Sequence, residues 1–442
     1  MQEQLALINL RPVWARLPLA VLAVLALYAA WYGVRWGFGN TMAETAPSSY
    51  ASDPTASFEA AEGAVRLAPR DPLAHLMLAR LHQIGFDPAG VPVALREYGE
   101  AAALAPNDYL VWTEVGRARA ALGDAAGGVE ALRRAVALAP NYAQPRWHLG
   151  NALLRTGETE AAFSELRRAA DADPSLRPQV FNLAWQVYGP DMARVIDSVG
   201  KTPLARAQLV GVLAGRGRFD DALAVWASLS PGERREHSSA GDALSRALYA
   251  KGQQRQALRV LVESGAGGIA EGQVTNGGFE TEIGQAGLQL FQWEMTQLGG
   301  AQIAVDSRAG RDGRRALRVA FNASGQVDFR NVSQVIAAEP GARYRLSFWL
   351  KTEGLKSAAP PIAFVADTAA PEAPLAASPP APGGTSDWQQ VTLEFTTSPR
   401  TEAVLVRLAR AGCPDGVCPI FGKIWYDDFH LERAGGRAGA AR

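Results

Sequence analysis

Pro106, Pro140 and Pro174 stand 34 residues apart, and Pro69 precedes the first of them by 37. A period near 34 is the length of one helix–turn–helix repeat. With a unit begun at Tyr109, Trp112, Val115, Gly116, Gly128, Leu132, Ala135 and Pro140 fall at positions 4, 7, 8, 20, 24, 27 and 32. With the next begun at Ala143, Leu149, Gly150, Ala162, Leu166, Ala169 and Pro174 fall on the same grid. Large apolar residues at helical spacing form one face of each helix. The small residues let paired helices approach, Gly123 and Gly157 serve the turns, and proline ends each second helix.

Composition narrows the function classes. Of 442 residues, 48% are hydrophobic, enough for packed cores in two or three domains. Lys plus Arg and Asp plus Glu balance at 44 each, so no net field draws the chain to nucleic acid. With two cysteines, a disulfide framework and a four-cysteine zinc site are both excluded.

Leu17–Phe38 carries no charge up to Gly33. As a helix it spans roughly 33 Å, enough to cross a bilayer core of about 30 Å. Trp31, Tyr32 and Trp36 form an aromatic belt at its far end. Arg11 and Arg16 before it, against Arg35 after it, keep residues 1–16 in the cytoplasm and export the rest. A cleaved signal peptide is the competing reading, with poor small-x-small sites, and a buried helix is the other. The polar residues 39–55 read as a tether.

The 34-residue grid resembles the tetratricopeptide repeat family. The likeness covers residues 56–264. Pro72–Pro106 fits with three extra residues near Phe86–Val91, Phe58–Pro69 reads as the second helix of an incomplete unit, and the pattern departs at Gly189-Pro190. In that family the first helices line a concave groove. The resemblance carries groove positions onto Arg80, Gln83, Arg117, Trp147, Asn151, Arg155, Phe181, Trp185 and Tyr188. Aromatic residues beside arginine suit a protein interface, while packing against a neighbouring repeat or domain is the other role open to them.

Helical periodicity stops near Ser264, and residues 265–273 read as a linker. Eight short alternating apolar runs follow between 274 and 434: 302–305, 316–321, 332–336, 344–350, 362–365, 388–395, 404–408 and 424–431. They predict a two-sheet β-sandwich, residues 371–384 a loop of polyproline character, and residues 435–442 a disordered tail. The fold class expected is therefore multidomain α plus β: a transmembrane helix, an α-helical solenoid and a carboxyl-terminal jelly-roll sandwich.

Asn276-Gly-Gly-Phe-Glu280, Trp293, Tyr344–Trp349, Trp388 and Trp425–Leu431 resemble, in order and spacing, the jelly rolls of carbohydrate-binding modules. In the last of these, alternation puts Trp425, Asp427, Phe429 and Leu431 on one face. The resemblance implies core positions for Trp293, Trp388 and Trp425, and a structural calcium held by Glu280 and Asp427, with Asp428 as alternate. The alternative is that Asp427 simply accepts backbone N–H bonds. It also implies a glycan face of Phe329, Arg330, Arg345 and Trp349, unless Trp349 lies beneath the insertion 357–382. Cys413 and Cys418 flank a turn, and outside the cytoplasm a disulfide closing it is expected.

No enzyme is expected. The histidines His75, His82, His148, His237 and His430 are scattered, with His75 and His82 read as core residues. No Gly-rich strand–helix loop or serine elbow occurs. The function these features imply is a single-pass bacterial inner-membrane scaffold, periplasmic on its carboxyl-terminal side. Its groove would bind a protein in cell-envelope or exopolysaccharide assembly. The alternative is a glycan-binding protein in which the repeats are spacers.

Overall fold

A computed structural model describes residues 13–84, 88–189, 191–285, 289–410, 413 and 417–434. The expected tail 435–442, and residues 1–12 of the expected cytoplasmic segment, lie outside the described residues. The chain divides into two units, Met1–Val199 and Gly200–Arg442.

The first unit is all helix. It runs α1 (Val13–Ser49), α2 (Pro54–Leu67), α3 (Pro72–Ile84), α4 (Val91–Leu104), α5 (Tyr109–Ala121), α6 (Ala125–Leu138), α7 (Ala143–Arg155), α8 (Thr159–Ala172), α9 (Arg177–Tyr188) and α10 (Met192–Val199). From α3 to α8 these are helix pairs at the predicted period, and the shorter pair α9 and α10 departs from it. Gly116 and Gly150 show why the grid needs small residues. A Cβ at Gly116 would stand 2.5 Å from Leu132 Cγ, and one at Gly150 2.6 Å from Leu166 Cγ. Asp53, Asp108 and Asp124 cap α2, α5 and α6 with side-chain oxygens.

The tether expected at 39–55 is corrected. Helix α1 continues unbroken through Ser49. Its two parts differ in burial. Leu17 to Val34 lies exposed along its whole length, with a mean hydropathy of 2.0 over its most apolar window. Gly39, Ala43 and Ala46 are buried against α2 and α3. Spaced by four and three, they form one small-residue stripe, which matches the small Ala61, Ala64 and Ala68 opposite. The end of α1 thus supplies the first helix of the unit that the sequence left incomplete.

In the second unit, α11 (Pro203–Gly215), α12 (Phe219–Ala227), α13 (Pro231–Glu236), α14 (Ser238–Ala250) and α15 (Gln254–Glu263) precede a β-sandwich. Tyr249 meets Phe291 edge-on at 5.4 Å, and the Arg255 N–H donates to Glu402 at 3.2 Å, so the last repeat docks on the sandwich.

The strands are β1 (Gly284–Gln285), β2 (Glu294–Met295), β3 (Ala301–Asp306), β4 (Ala316–Ala323), β5 (Val332–Ala337), β6 (Arg343–Ser357), β7 (Ile362–Asp367), β8 (Pro374–Ala377), β9 (Gly384–Thr396), β10 (Ala403–Ala409) and β11 (Ile420–Arg433). One sheet has the order β1-β2-β5-β10-β7-β8, the other β3-β4-β11-β6-β9. All eight predicted runs are strands. The loop expected at 371–384 instead holds the edge strand β8, paired to β7. An edge tolerates Pro374 because its outer N–H has no ladder partner to lose.

Between the sheets lie Phe279, Trp293, Phe348, Tyr426 and Phe429, with Phe348 and Phe429 stacked at 4.7 Å. Arg410, 3% exposed, donates to the carbonyls of Ala359 and Cys418 and to Ser357 Oγ. Cys413 and Cys418 are joined by a disulfide, with Cα atoms 5.5 Å apart.

Candidate functional site

The first unit carries a concave groove of about 870 Å³ on its first-helix side. Arg80 and Gln83 come from α3, Glu114 and Arg117 from α5, and Trp147, His148, Asn151 and Arg155 from α7. The repeat puts them together. Successive first helices lie side by side, so the same helical position recurs along one wall. Arg80, Arg117 and Asn151 are each the ninth residue of their units.

Local contacts hold this wall. Tyr98 O–H donates to Gln83 Oε1 at 2.8 Å, and Asn151 Nδ2 to the Trp147 carbonyl at 2.8 Å. Burial, with Glu114 nearby, pushes the Tyr98 hydroxyl up to about 12, so it stays a donor. Burial, then the charge of Arg117, lowers the His148 imidazole, which favours the neutral ring at neutral pH. Arg117 pairs with Glu114 at 2.6 Å. Arg80 and Arg155 are exposed, and neither guanidinium has a partner among the described residues. Three arginines therefore face one glutamate across an apolar floor that includes Leu122, Leu132 and Ala152.

Glu114 and His148 line the same wall and are not among the groove positions that the repeat resemblance carries over. Both are sixth in their units, three residues before the ninth position and so adjacent to it on the helix surface, and that neighbourhood is the available signal. The same resemblance puts Phe181 in the groove. That is corrected: Phe181 is 3% exposed inside the helix stack. Trp185 is half-buried, Tyr188 packs on Phe163 at 5.5 Å, and none of the three lines the groove. The chain departs from the repeat beyond Tyr188, so the register that carried α3, α5 and α7 does not extend the wall through α9. His75 is a core residue, bonded through Nδ1 to Glu97 at 2.7 Å.

On the sandwich, the predicted glycan residues do not come together. Phe329 is fully buried against Phe321, at 0% exposure, and drops out of the face. Arg330 pairs with Asp328 and Glu372, beside the first sheet. Arg345 sits on the second sheet, paired with Glu394 and Glu432. Trp349 is half-buried on the outer face of that sheet, under the Arg311 guanidinium at 3.6 Å from the ring centroid.

Two tryptophans expected in the core are on this outer face instead. Trp388 and Trp425 flank Lys351, whose Nζ lies 4.9 Å and 5.0 Å from their ring centroids. Strand register explains it: Lys351 pairs with Trp425, so both share the face opposite Tyr426 and Leu350. The alternation read for the last strand breaks at a bulge between Asp427 and His430, where Asp428 takes φ +54°. One extra residue turns Phe429 and Leu431 inward, while Trp425 and Asp427 remain outside.

Asp427 is nevertheless 2% exposed, covered by the loop between β3 and β4. Its oxygens accept from the N–H groups of Arg311 at 2.7 Å and Asp428 at 2.8 Å. Glu280 accepts from the N–H groups of Arg314 and Arg315 at 2.8 and 3.2 Å. Burial raises the Asp427 carboxyl, and the nearby charges of Asp428 and Glu280 add to this. Asp428 pairs with Arg311 at 3.2 Å. Among the described residues no group of three or more His, Cys, Asp or Glu side chains is arranged to hold a metal ion. Two hard oxygen donors beside a turn are what this chain offers to one.

No family model matches the chain, and no curated protein matches it. Among solved structures, one titled "CBM4 structure and function" is 20% identical, covering 36% of this chain and 99% of its own, with a TM-score of 0.28. MamA (41-end) from Desulfovibrio magneticus RS-1 is 16% identical over 37% of this chain and 92% of its own, with a TM-score of 0.31. A thermophilic TPR protein of Thermus thermophilus is 21% identical over 46% of this chain and 98% of its own, with a TM-score of 0.28. At these identities and scores the likeness carries no functional argument, and the groove and the sheet face must speak for themselves.

Proposed function

We propose that this protein is a non-enzymatic, membrane-anchored scaffold whose groove recruits an acidic segment of a partner protein. The observation that carries this reading is the pair Arg80 and Arg155. Neither guanidinium has a partner among the described residues, and both line, together with Trp147, a concavity of about 870 Å³ with a single carboxylate. Arginine beside tryptophan, over apolar floor, is the composition of an interface hot spot, and three like charges select an anionic partner. The bare apolar stretch of α1 supports the anchor. The arginines around it orient the solenoid and sandwich toward the periplasm of a bacterial inner membrane. Cell-envelope or exopolysaccharide assembly is the process that a periplasmic scaffold with a sugar-module-like sandwich would serve. The glycan-binding alternative is less favoured because Arg311 and Lys351 already occupy the tryptophan faces a sugar would stack on.

The test is capture from detergent-solubilised membranes by the full chain. The variants Trp147→Ala and Arg80→Glu with Arg155→Glu should lose the same co-purifying protein, and raised salt should weaken its capture by the wild type. An unchanged set of captured proteins sinks the groove reading. A reporter fused after Arg442 that is active only in the cytoplasm sinks the orientation.

A further inference from the structure

The unbroken α1 helix fixes more than an anchor. From Leu17 to Trp36 it rises roughly 29 Å, about the thickness of a bilayer hydrocarbon core. The buried stripe begins three residues later, at Gly39. Helix α2 runs back alongside, so its carboxyl end returns to the level at which α1 leaves the apolar stretch. Three contacts fix that level. Arg35 donates through Nη2 to the Arg66 carbonyl at 2.7 Å. The Arg35 guanidinium lies 5.4 Å from the Trp31 ring centroid, inside the aromatic belt. A Cβ at Gly39 would stand 2.8 Å from Ala68 Cβ.

The turn after α2 therefore sits at the belt, with Pro69 and Arg70 exposed and Arg66 exposed beside them. Two carboxylates are near. Glu62 stands 3.5 Å from Arg66, one turn further from the belt. Asp71 is buried, and one of its oxygens accepts the N–H of Leu73 at the start of α3. The outward charge of the turn is thus positive.

We propose that the first repeat is seated on the membrane surface, with the turn 68–71 in the headgroup layer and the guanidinium groups of Arg66 and Arg70 against lipid phosphates. The inference rests on the anchor reading above. Continuity of the helix sets the depth, and the arginines supply the donors that headgroup phosphates accept. The repeat is then a foot on the bilayer, and the solenoid leaves the membrane in a fixed direction.

The full chain is reconstituted in phosphatidylethanolamine/phosphatidylglycerol vesicles carrying a headgroup spin-labelled lipid. Both native cysteines are in the disulfide, so a fluorophore on Arg70→Cys or Ala51→Cys reports one place. Position 51 is exposed and follows the other end of α1, at least roughly 15 Å further from the belt. The label at 70 should lose most of its emission and the label at 51 should keep its own. Adding Arg66→Gln to Arg70→Cys should relieve part of the quenching without changing the thermal midpoint. Release of the protein by alkaline carbonate overturns the anchor reading and this inference together. Retention with an unquenched label at 70, or equal quenching at 70 and 51, overturns the inference alone. Quenching that ignores Arg66→Gln overturns the arginine–phosphate contact.

Discussion

The guanidinium carbon of Arg311 lies over the ring of Trp349, 3.6 Å from its centroid. Arg311 comes from the loop between β3 and β4, and the same residue's backbone N–H caps Asp427. One loop thus closes both the tryptophan and the carboxylate that the sequence offered as separate sites. With its face taken, Trp349 serves the stability of the sandwich. Trp349→Ala should lower that stability by about 0.5–2 kcal/mol, the range of a partly desolvated cation–π contact. It should leave retention of the protein on a polysaccharide column at the wild-type level. Lost retention would restore the glycan reading.

Glycine at 39 is required by the closeness of α1 to α2. Gly39→Val should cost about 1–3 kcal/mol, as overpacking does, because the new carbons meet Ala68 Cβ and the Ala64 carbonyl at 2.8 and 3.2 Å. Circular-dichroism melting of the full chain in detergent reads this. An unchanged midpoint would mean that α1 and α2 are not packed as described.

Glu97 links α4 to α3 through His75 at 2.7 Å, with Arg96 at 2.9 Å. Burial acts to raise its carboxyl, but the hydrogen bonds from His75 and Arg96 prevail and hold it below its ordinary 4.5. A carboxyl held lower in the folded state stabilises above the unfolded value, and that contribution is lost as pH falls through the folded one. Glu97→Gln should therefore be less stable than the wild type by about 1–3 kcal/mol at pH 7. The gap should close in acid below about pH 4. A gap independent of pH would show that the effect is packing alone.

Calcium at Glu280 and Asp427 remains our proposal for that pair. Excess calcium over chelator should raise the thermal midpoint of the protein. The shift should shrink at mildly acidic pH, where the raised Asp427 carboxyl takes up a proton that competes with the ion. It should vanish in Asp427→Asn. No shift in the wild type would leave the N–H groups of Arg311, Asp428, Arg314 and Arg315 as the complete partners of these carboxylates.

The groove was legible where the repeat was regular. Arg80, Gln83, Arg117, Trp147, Asn151 and Arg155 were found because one helical position maps to one wall while the register holds. Phe181 was misplaced where the grid ends near Gly189. On the sandwich the eight strands were legible from their alternation, and so were the two faces of β6, with Tyr344, Leu346, Phe348 and Leu350 in the core, but the faces of the last strand were not. A single bulge at Asp428 shifts the phase of the last strand by one residue, so a strict alternation carried through it puts Phe429 and Leu431 on the wrong face.

The amino-acid sequence by itself determined the elements. Its 34-residue period, its long apolar stretch and its alternating runs specify helix pairs, a membrane-length helix and a two-sheet sandwich, because each pattern is local and each matches one backbone periodicity. Only the tertiary structure decided what those elements share. It joined the apolar helix to the first repeat through Gly39, Ala43 and Ala46, brought Arg80 and Arg155 into one groove without partners among the described residues, and laid Arg311 over Trp349. These outcomes depend on which surfaces meet across residues far apart in the chain, and no local periodicity records that.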